Sequence, residues 1–348
     1  MPQALPNFES SDFLEQHIKT TLAFYEPRVF APEGGFYGCF LDNGDCYDPD
    51  VRQLVASCRY VFNYATSYRL YGNAKHLDWA KWGLDYLETA HKQTNGAYAW
   101  QIENGKVTDS RVMAYGHAFV LLAAASCLQA GIKSAAKRID NVFAFLERYF
   151  WDAQAGAYFD ERDTSLKVLS PYRGQNANMH MCEALLTAWH ASGDIRFLDR
   201  AEQLANRFAI ELAAQSGGRI WEHYDVNWNV DMAFNIDKPN DRYKPWGFQP
   251  GHQTEWAKLL LILMKTGLMK NGSSPRNLFM TKLSKWVGIK PMAAWFTALR
   301  LMGMFARAKN IFGFNRRVSL RLGAYTALQA MINIDRTITE FGPGAGRI

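Results

Sequence analysis

No stretch of the 348-residue chain reaches the ~18 uninterrupted apolar residues of a membrane span. The nearest, AFVLLAAASCL at 118–128, is too short, and the run at 291–308 is broken by Arg300. The opening residues, MPQALPNFESSDF, have neither the basic start nor the apolar stretch of a secretory signal. Cysteine is sparse: five residues, at 39, 46, 58, 127 and 182, with no C-x-x-C among them. An odd, scattered set argues against a disulfide framework and predicts reduced thiols in a cytoplasmic protein. No H-E-x-x-H and no ATP-binding motif occurs, so no metal and no other cofactor is expected. Two further scarcities are local. No histidine follows His252, and residues 272–348 hold two acids, Asp335 and Glu340, against twelve Lys and Arg. That segment therefore carries +10, whereas residues 1–271 keep 27 of the 39 basic residues and 31 of the 33 acids and sum to −4.

Apolar and aromatic residues are plentiful, 48% and 14% of the chain, which predicts a large core. One phrase recurs: GGFYGCFLDNGDCYDPD from residue 34, NGAYAWQIENGKVTDS from 95, AGAYFDERDTSLKVLS from 155 and GGRIWEHYDVNWNVD from 217, at intervals of 61, 60 and 62. Small residues, alternating aromatics and then a polar turn read as a short hairpin. Between the hairpins lie two helix classes. Amphipathic segments span 70–90, 129–150 and 191–210; the first shows Leu77, Ala80, Leu84 and Leu87 on one face. Segments at 51–70, 112–130, 176–191 and 252–266 are apolar nearly all round and are expected to be more deeply buried. A unit of hairpin, buried helix and amphipathic helix cannot cover its own apolar face, so units must stack. The very apolar inner set favours closure into an all-α toroid of helix pairs, an (α/α)6 barrel, over residues 1–271.

Each buried helix is polar only near its start. The first offers Arg52 and Arg59, the second Tyr115 and His117, the third Asn176, Asn178, His180 and Glu183, and the fourth His252 and Glu255. In a closed ring these starts converge at one end, in a cleft walled by loop aromatics, which suits a sugar-sized ligand. Each residue also has a plainer reading. The arginines can be ion-pair partners, His117 a hydrogen-bonded core histidine, and Asn176 and Asn178 helix caps. His223 in the loop reads as structural, and His17, His76, His91 and His190 as surface positions. The two H-x-x-E pairs, His180/Glu183 and His252/Glu255, each share a helix face and suit either metal ligation or metal-free proton transfer by an imidazole beside a carboxylate.

Five phrases, GGFYGCF, YGHAFVLLA, PYRGQNANMHMCEALL, EHYD and RYKPWGFQPGHQTEWAKLLL, resemble the N-acylglucosamine 2-epimerase family of aldose–ketose isomerases and sugar 2-epimerases, in wording nearest its bacterial mannose isomerases. The likeness runs from about residue 8 to 267. It implies the (α/α)6 barrel and interconversion of mannose and fructose through a cis-enediol, with N-acylglucosamine or aldose 2-epimerisation as the alternative. It also implies sugar binding by Arg59, Tyr115, Asn176, His180 and Arg242 and acid/base catalysis by His252, with Glu255 beside the substrate as its catalytic companion. To these the helix-start pattern adds His117 and Glu183 as substrate-binding candidates. The expected partner is a small sugar, with no membrane and no nucleic acid unless the basic tail is a module of its own; the oligomeric state is left open, with the aromatic loops compatible with a homodimer.

The family pattern includes a second catalytic histidine near the C-terminus, and this sequence has none after His252. The hairpin phrase also fails to recur where a fifth unit is due, near 285–295. A reading-frame shift near residue 270 accounts for the joint loss of acids, histidine and repeat. Divergent closure of the ring, or a basic module for nucleic acid or membrane in 272–348, are the other readings. The resulting expectation is isomerase ancestry with weak or absent turnover; a sugar-binding or structural remnant is the rival class.

Overall fold

The computed structural model describes residues 10–268 other than 242, with side chains described as far as Leu263. Arg242 and the segment 272–348 therefore lie outside the described residues. Eight helices occur within them: α1 (Ser11–Tyr25), α2 (Leu54–Tyr71), α3 (Ala74–Tyr86), α4 (Ala114–Gln129), α5 (Ala135–Tyr149), α6 (Gln175–Ser192), α7 (Ile195–Asn206) and α8 (Pro250–Leu268). Helices α3 and α7 each run on into a π-turn, Leu87–His91 and Arg207–Leu212. The buried class of the sequence is α2, α4, α6 and α8. Neighbours in this series pack side by side, and α2, α4 and α6 each carry the following helix, α3, α5 and α7, at their back. In α4 all residues from Gly116 to Cys127 are buried, whereas α5 buries only one face, with Ile139, Val142, Phe143 and Leu146. The helix α1 lays Ile18, Leu22 and Tyr25 inward, with Tyr25 edge-on to Tyr60 of α2 at 5.7 Å.

Short strands join the units at the end where the inner helices start. They are β1 (Val51–Gln53), β2 (Gln101–Glu103), β3 (Lys106–Asp109), β4 (Val112–Met113), β5 (Trp151–Asp152), β6 (Ala157–Tyr158), β7 (Glu161–Arg162), β8 (Arg173–Gly174) and β9 (His223–Tyr224). The strand leading into each of α2, α4 and α6 pairs with the hairpin of the next unit: β1 with β2, β4 with β7 and β8 with β9, all antiparallel. The hairpin turns need a left-handed backbone, and Gly96, Gly156 and Gly217 supply it at φ 88°, 66° and 69°. The sequence reading ran strand and helix together at 51–53 and 112–113; these residues are the pairing strands.

Inner-helix starts are capped across this joint. The residues before α2, α4 and α6 make no side-chain cap. Instead the first amide of each helix donates to a carbonyl of the next hairpin: Leu54 to Trp100 at 2.9 Å, Ala114 to Asp160 at 2.8 Å, and Gln175 to Glu222 at 3.1 Å. Helix α8 begins with proline, which has no amide to satisfy. Asn176 is therefore not a helix cap, and its side chain is left for other use.

The fourth residue of α4, α6 and α8 clasps the hairpin of its own unit. His117 Nε2 accepts from the Tyr98 amide at 3.1 Å, and its Nδ1 donates to the Met113 carbonyl at 2.7 Å. Asn178 accepts from the Tyr158 amide at 2.7 Å and donates to the Tyr158 and Gly174 carbonyls at 3.0 Å. Gln253 holds both the amide and the carbonyl of Ile220. This corrects the substrate-binding assignment of His117. The side chain is wholly buried, both ring nitrogens are engaged by backbone, and burial pushes its pKa down to about 4, so it stays neutral. His76 and His91, expected at the surface, are buried too, with Nδ1 bonded to Ser67 at 2.8 Å and to the Ala99 carbonyl at 2.9 Å. His223 is structural as expected, bonded to the Tyr172 hydroxyl and the Pro245 carbonyl.

Candidate active site

Two residues past the hairpin clasp, the sixth position of each inner helix, the side chains are Arg59, Phe119, His180 and Glu255. They touch in that order across neighbouring helices. The Arg59 guanidinium lies 4.8 Å over the Phe119 ring, Phe119 and His180 are 4.7 Å apart by ring centroids, and His180 Nε2 is 3.9 Å from Glu255. Tyr115, in the second position of α4, meets His180 edge-on at 5.2 Å. Helical spacing thus turns a sequence separation of about sixty residues into one continuous polar and aromatic band. No carboxylate among the described residues pairs with Arg59, so the ion-pair reading fits it poorly; Arg52 does pair, with Glu33 at 2.8 Å, and is 3% exposed. In the second position of α6, Asn176 has a buried Oδ1 with no hydrogen-bond partner among the described residues.

Two His–Glu pairs stand on this band. His180 Nδ1 lies 3.3 Å from Glu183, whose other oxygen accepts from Lys258 of α8 at 2.6 Å. Burial alone raises the Glu183 carboxyl, but the Lys258 ammonium and His180 outweigh it and hold Glu183 well below the usual carboxylate range. The second pair joins α8 to the last hairpin. His252 Nδ1 lies 2.9 Å from Glu222 Oε2, and Glu222 is 3% exposed. Burial disfavours the imidazolium, yet the charge and hydrogen bond of Glu222, with added charge from Glu255, lift His252 above the ordinary histidine value. Gln175, at the head of α6, completes the cluster through contacts with Glu222 and His252.

Most candidates read from the sequence are brought together: Arg59, Tyr115, His180, Glu183 and Glu255 share the band, and His252 and Asn176 stand one turn nearer its open end. His117 is separated from them, and Arg242 is outside the described residues. The arrangement differs from the expected one in its pairing. The partner of His252 is not Glu255, three residues along its own helix, but Glu222, thirty residues earlier. Nothing in the local spacing marks Glu222, but the repeat does. It occupies the same hairpin position as Trp100 and Asp160, the residue whose carbonyl caps the preceding inner helix.

Chemically, a histidine fixed through Nδ1 presents Nε2 as an acid/base, and the inner-helix starts bring their positive dipole ends to the same place. Among the described residues no group of three or more metal-ligating side chains occurs. None of the described helices is long and apolar enough to cross a membrane.

The sequence profile of the family described as N-acylglucosamine 2-epimerase (GlcNAc 2-epimerase) matches residues 35–289. A relative from Marinomonas mediterranea named D-mannose isomerase is 43% identical over 293 residues, 84% of this chain and 73% of its own length. The solved structure of a D-mannose isomerase superposes with a TM-score of 0.76 at 43% identity, over 81% of this chain and 71% of its own. The cellobiose 2-epimerase of Spirochaeta thermophila gives a TM-score of 0.67 over 94% of this chain and 98% of its own at 15% identity, a likeness of fold alone. The sixty-residue repeat thus belongs to an (α/α)6 barrel. By profile, sequence and fold, the chain belongs to the N-acylglucosamine 2-epimerase family.

Proposed function

We propose that the chain is an aldose–ketose isomerase of the mannose–fructose type, working without metal through a cis-enediol. The observation that carries this reading is the Glu222–His252 pair at the mouth of the inner helices. In an open-chain aldose the carbonyl acidifies the C2 proton. His252 Nε2 takes that proton, the C2–H electrons form the C1–C2 double bond, and the carbonyl electrons pass to O1 as an enediolate. The helix dipoles and Arg59 favour that developing charge. The O2 proton then passes to O1, the C2 carbonyl reforms, and His252 returns its proton to C1 to give the ketose. One base on one face of the enediol suffices, whereas 2-epimerisation needs proton delivery to the opposite face of C2. Arg59, Tyr115, Asn176, His180, Glu183 and Glu255 bind and orient the sugar hydroxyls, and Arg242 completes the set.

Incubating the full chain with mannose and detecting fructose tests this. Turnover is expected from the wild type and none from His252→Ala; turnover that persists in His252→Ala would remove His252 from the chemistry. A second reading rests on the lack of any histidine after His252, where the family pattern has its second catalytic one. It predicts sugar binding without fructose formation by the wild type.

A further inference from the structure

Gln175 is the first residue of α6 and is completely buried. Its side-chain oxygen lies 2.7 Å from the indole nitrogen of Trp256, also completely buried, on α8. An indole N–H only donates, so Gln175 Oε1 must be the acceptor and its amide cannot be flipped. The NH2 group then faces the active-site pair: Gln175 Nε2 is 3.0 and 3.2 Å from the two Glu222 oxygens and 2.9 Å from His252 Nδ1. We infer that Gln175, locked by Trp256, is a positioning residue that holds the Glu222 carboxylate against His252 Nδ1.

An ionised carboxylate accepts and cannot donate, so the 2.9 Å contact between Glu222 and His252 Nδ1 requires the hydrogen on Nδ1. Gln175 Nε2 donates to Glu222 and holds the carboxylate in line with the ring; it has no lone pair to offer, so its approach to the protonated Nδ1 brings two donors together and is not a hydrogen bond. A flipped amide would set its oxygen against the Glu222 carboxylate and compete for the Nδ1 hydrogen. Trp256 forbids that state. His252 Nε2, bonded by none of the described residues, is left as the basic nitrogen of the neutral ring. The charged groups acting on His252 are Glu222 from the hairpin and Glu255 from its own helix; α6 contributes the neutral Gln175. This inference rests on the proposed proton-transfer role of His252.

The test is nitrogen NMR of the histidine-labelled full chain, which reads tautomer and titration without turnover, together with the pH profile of kcat/KM. Wild-type His252 is expected as the Nδ1–H tautomer. Gln175→Glu places a second carboxylate beside Glu222, so the His252 midpoint rises by about one pH unit and the acid limb of kcat/KM moves up with it. Gln175→Met removes the donors that share the Glu222 charge, giving a smaller rise in the same direction. Trp256→Phe frees the amide to flip, which loosens Glu222 and shifts the His252 midpoint without moving the hydrogen from Nδ1. An unchanged midpoint in both Gln175 variants would overturn the inference, whether or not Trp256→Phe folds. A wild type that makes no fructose but shows these shifts would sink the isomerase reading and leave the positioning role standing.

Discussion

Protonation of His252 determines when it can act as a base. Its folded pKa is raised, so the neutral form that accepts the C2 proton predominates only above pH 6.5, the ordinary histidine value. The acid limb of kcat/KM is therefore expected on the alkaline side of that value. In Glu222→Gln the carboxylate that raises His252 is gone and burial, which lowers it, prevails. The acid limb then moves to lower pH, while kcat falls by about 10²-fold because a neutral amide no longer stabilises the imidazolium formed as His252 takes the proton. A limb that stays put or moves up would contradict the pairing. Linkage gives the matching stability change: the raised pKa contributes stability below pH 6.5 that is lost as pH rises through the folded value. Lys258 acts on the other pair. Lys258→Met leaves Glu183 buried without its cation, at a cost of about 3 kcal/mol, seen as a lower midpoint in urea unfolding.

At the scale of elements, the repeated clasp between inner helix and hairpin allows an exchange between units. His117→Asn places in α4 the residue that does the same work in α6. At pH 7 the cost is about 1 kcal/mol, from the lost stack of His117 on Phe145 at 4.8 Å. Below pH 6.5 the difference narrows and then reverses. The His117 pKa is about 4 when folded, so between roughly pH 6.5 and 4 the unfolded chain binds more protons and stability falls as pH falls. The Asn variant lacks that loss, so its thermal midpoint should drop less steeply on acidification than the wild type's. Gly83 tests the packing of α3 on α2. Helix propensity favours alanine by about 1 kcal/mol. A methyl there would sit 2.3 Å from the buried Phe36 ring and 2.8 Å from Val61, so Gly83→Ala is expected to lower stability by about 1–3 kcal/mol. The hairpins and both helix classes were legible in the sequence because periodicity and a sixty-residue echo are local signals. The joint between units was not. Strand pairs of two or three residues, such as Arg173–Gly174 with His223–Tyr224, carry no alternation to read. Glu222 was missed for the same reason: its partner His252 is thirty residues away, whereas Glu255 stands at the helical spacing that sequence reading rewards.

Across the whole molecule, the site is made by units that no short segment contains. Arg59 comes from the first inner helix and Glu255 from the fourth, 196 residues later, and the band between them passes through Phe119 and His180. A ligand that bridges this band ties four helices together and must stabilise the folded chain as one body. At a hundred times its dissociation constant a sugar contributes about 2.7 kcal/mol. For a chain of this size that corresponds to a rise in thermal midpoint on the order of 5 °C. Arg59→Ala separates binding from folding. In the unliganded chain the guanidinium adds only its contact with the Phe119 ring, about 1 kcal/mol or less, so the unliganded midpoint should move little. The mannose-induced rise should vanish, because no carboxylate among the described residues occupies that guanidinium and the sugar is its proposed partner. Differential scanning fluorimetry of both proteins across a mannose series reads the two quantities together. A mannose-induced rise that survives in Arg59→Ala would place the sugar away from the mouth of the inner helices, and the repeat would then have built a barrel whose converging starts serve something else.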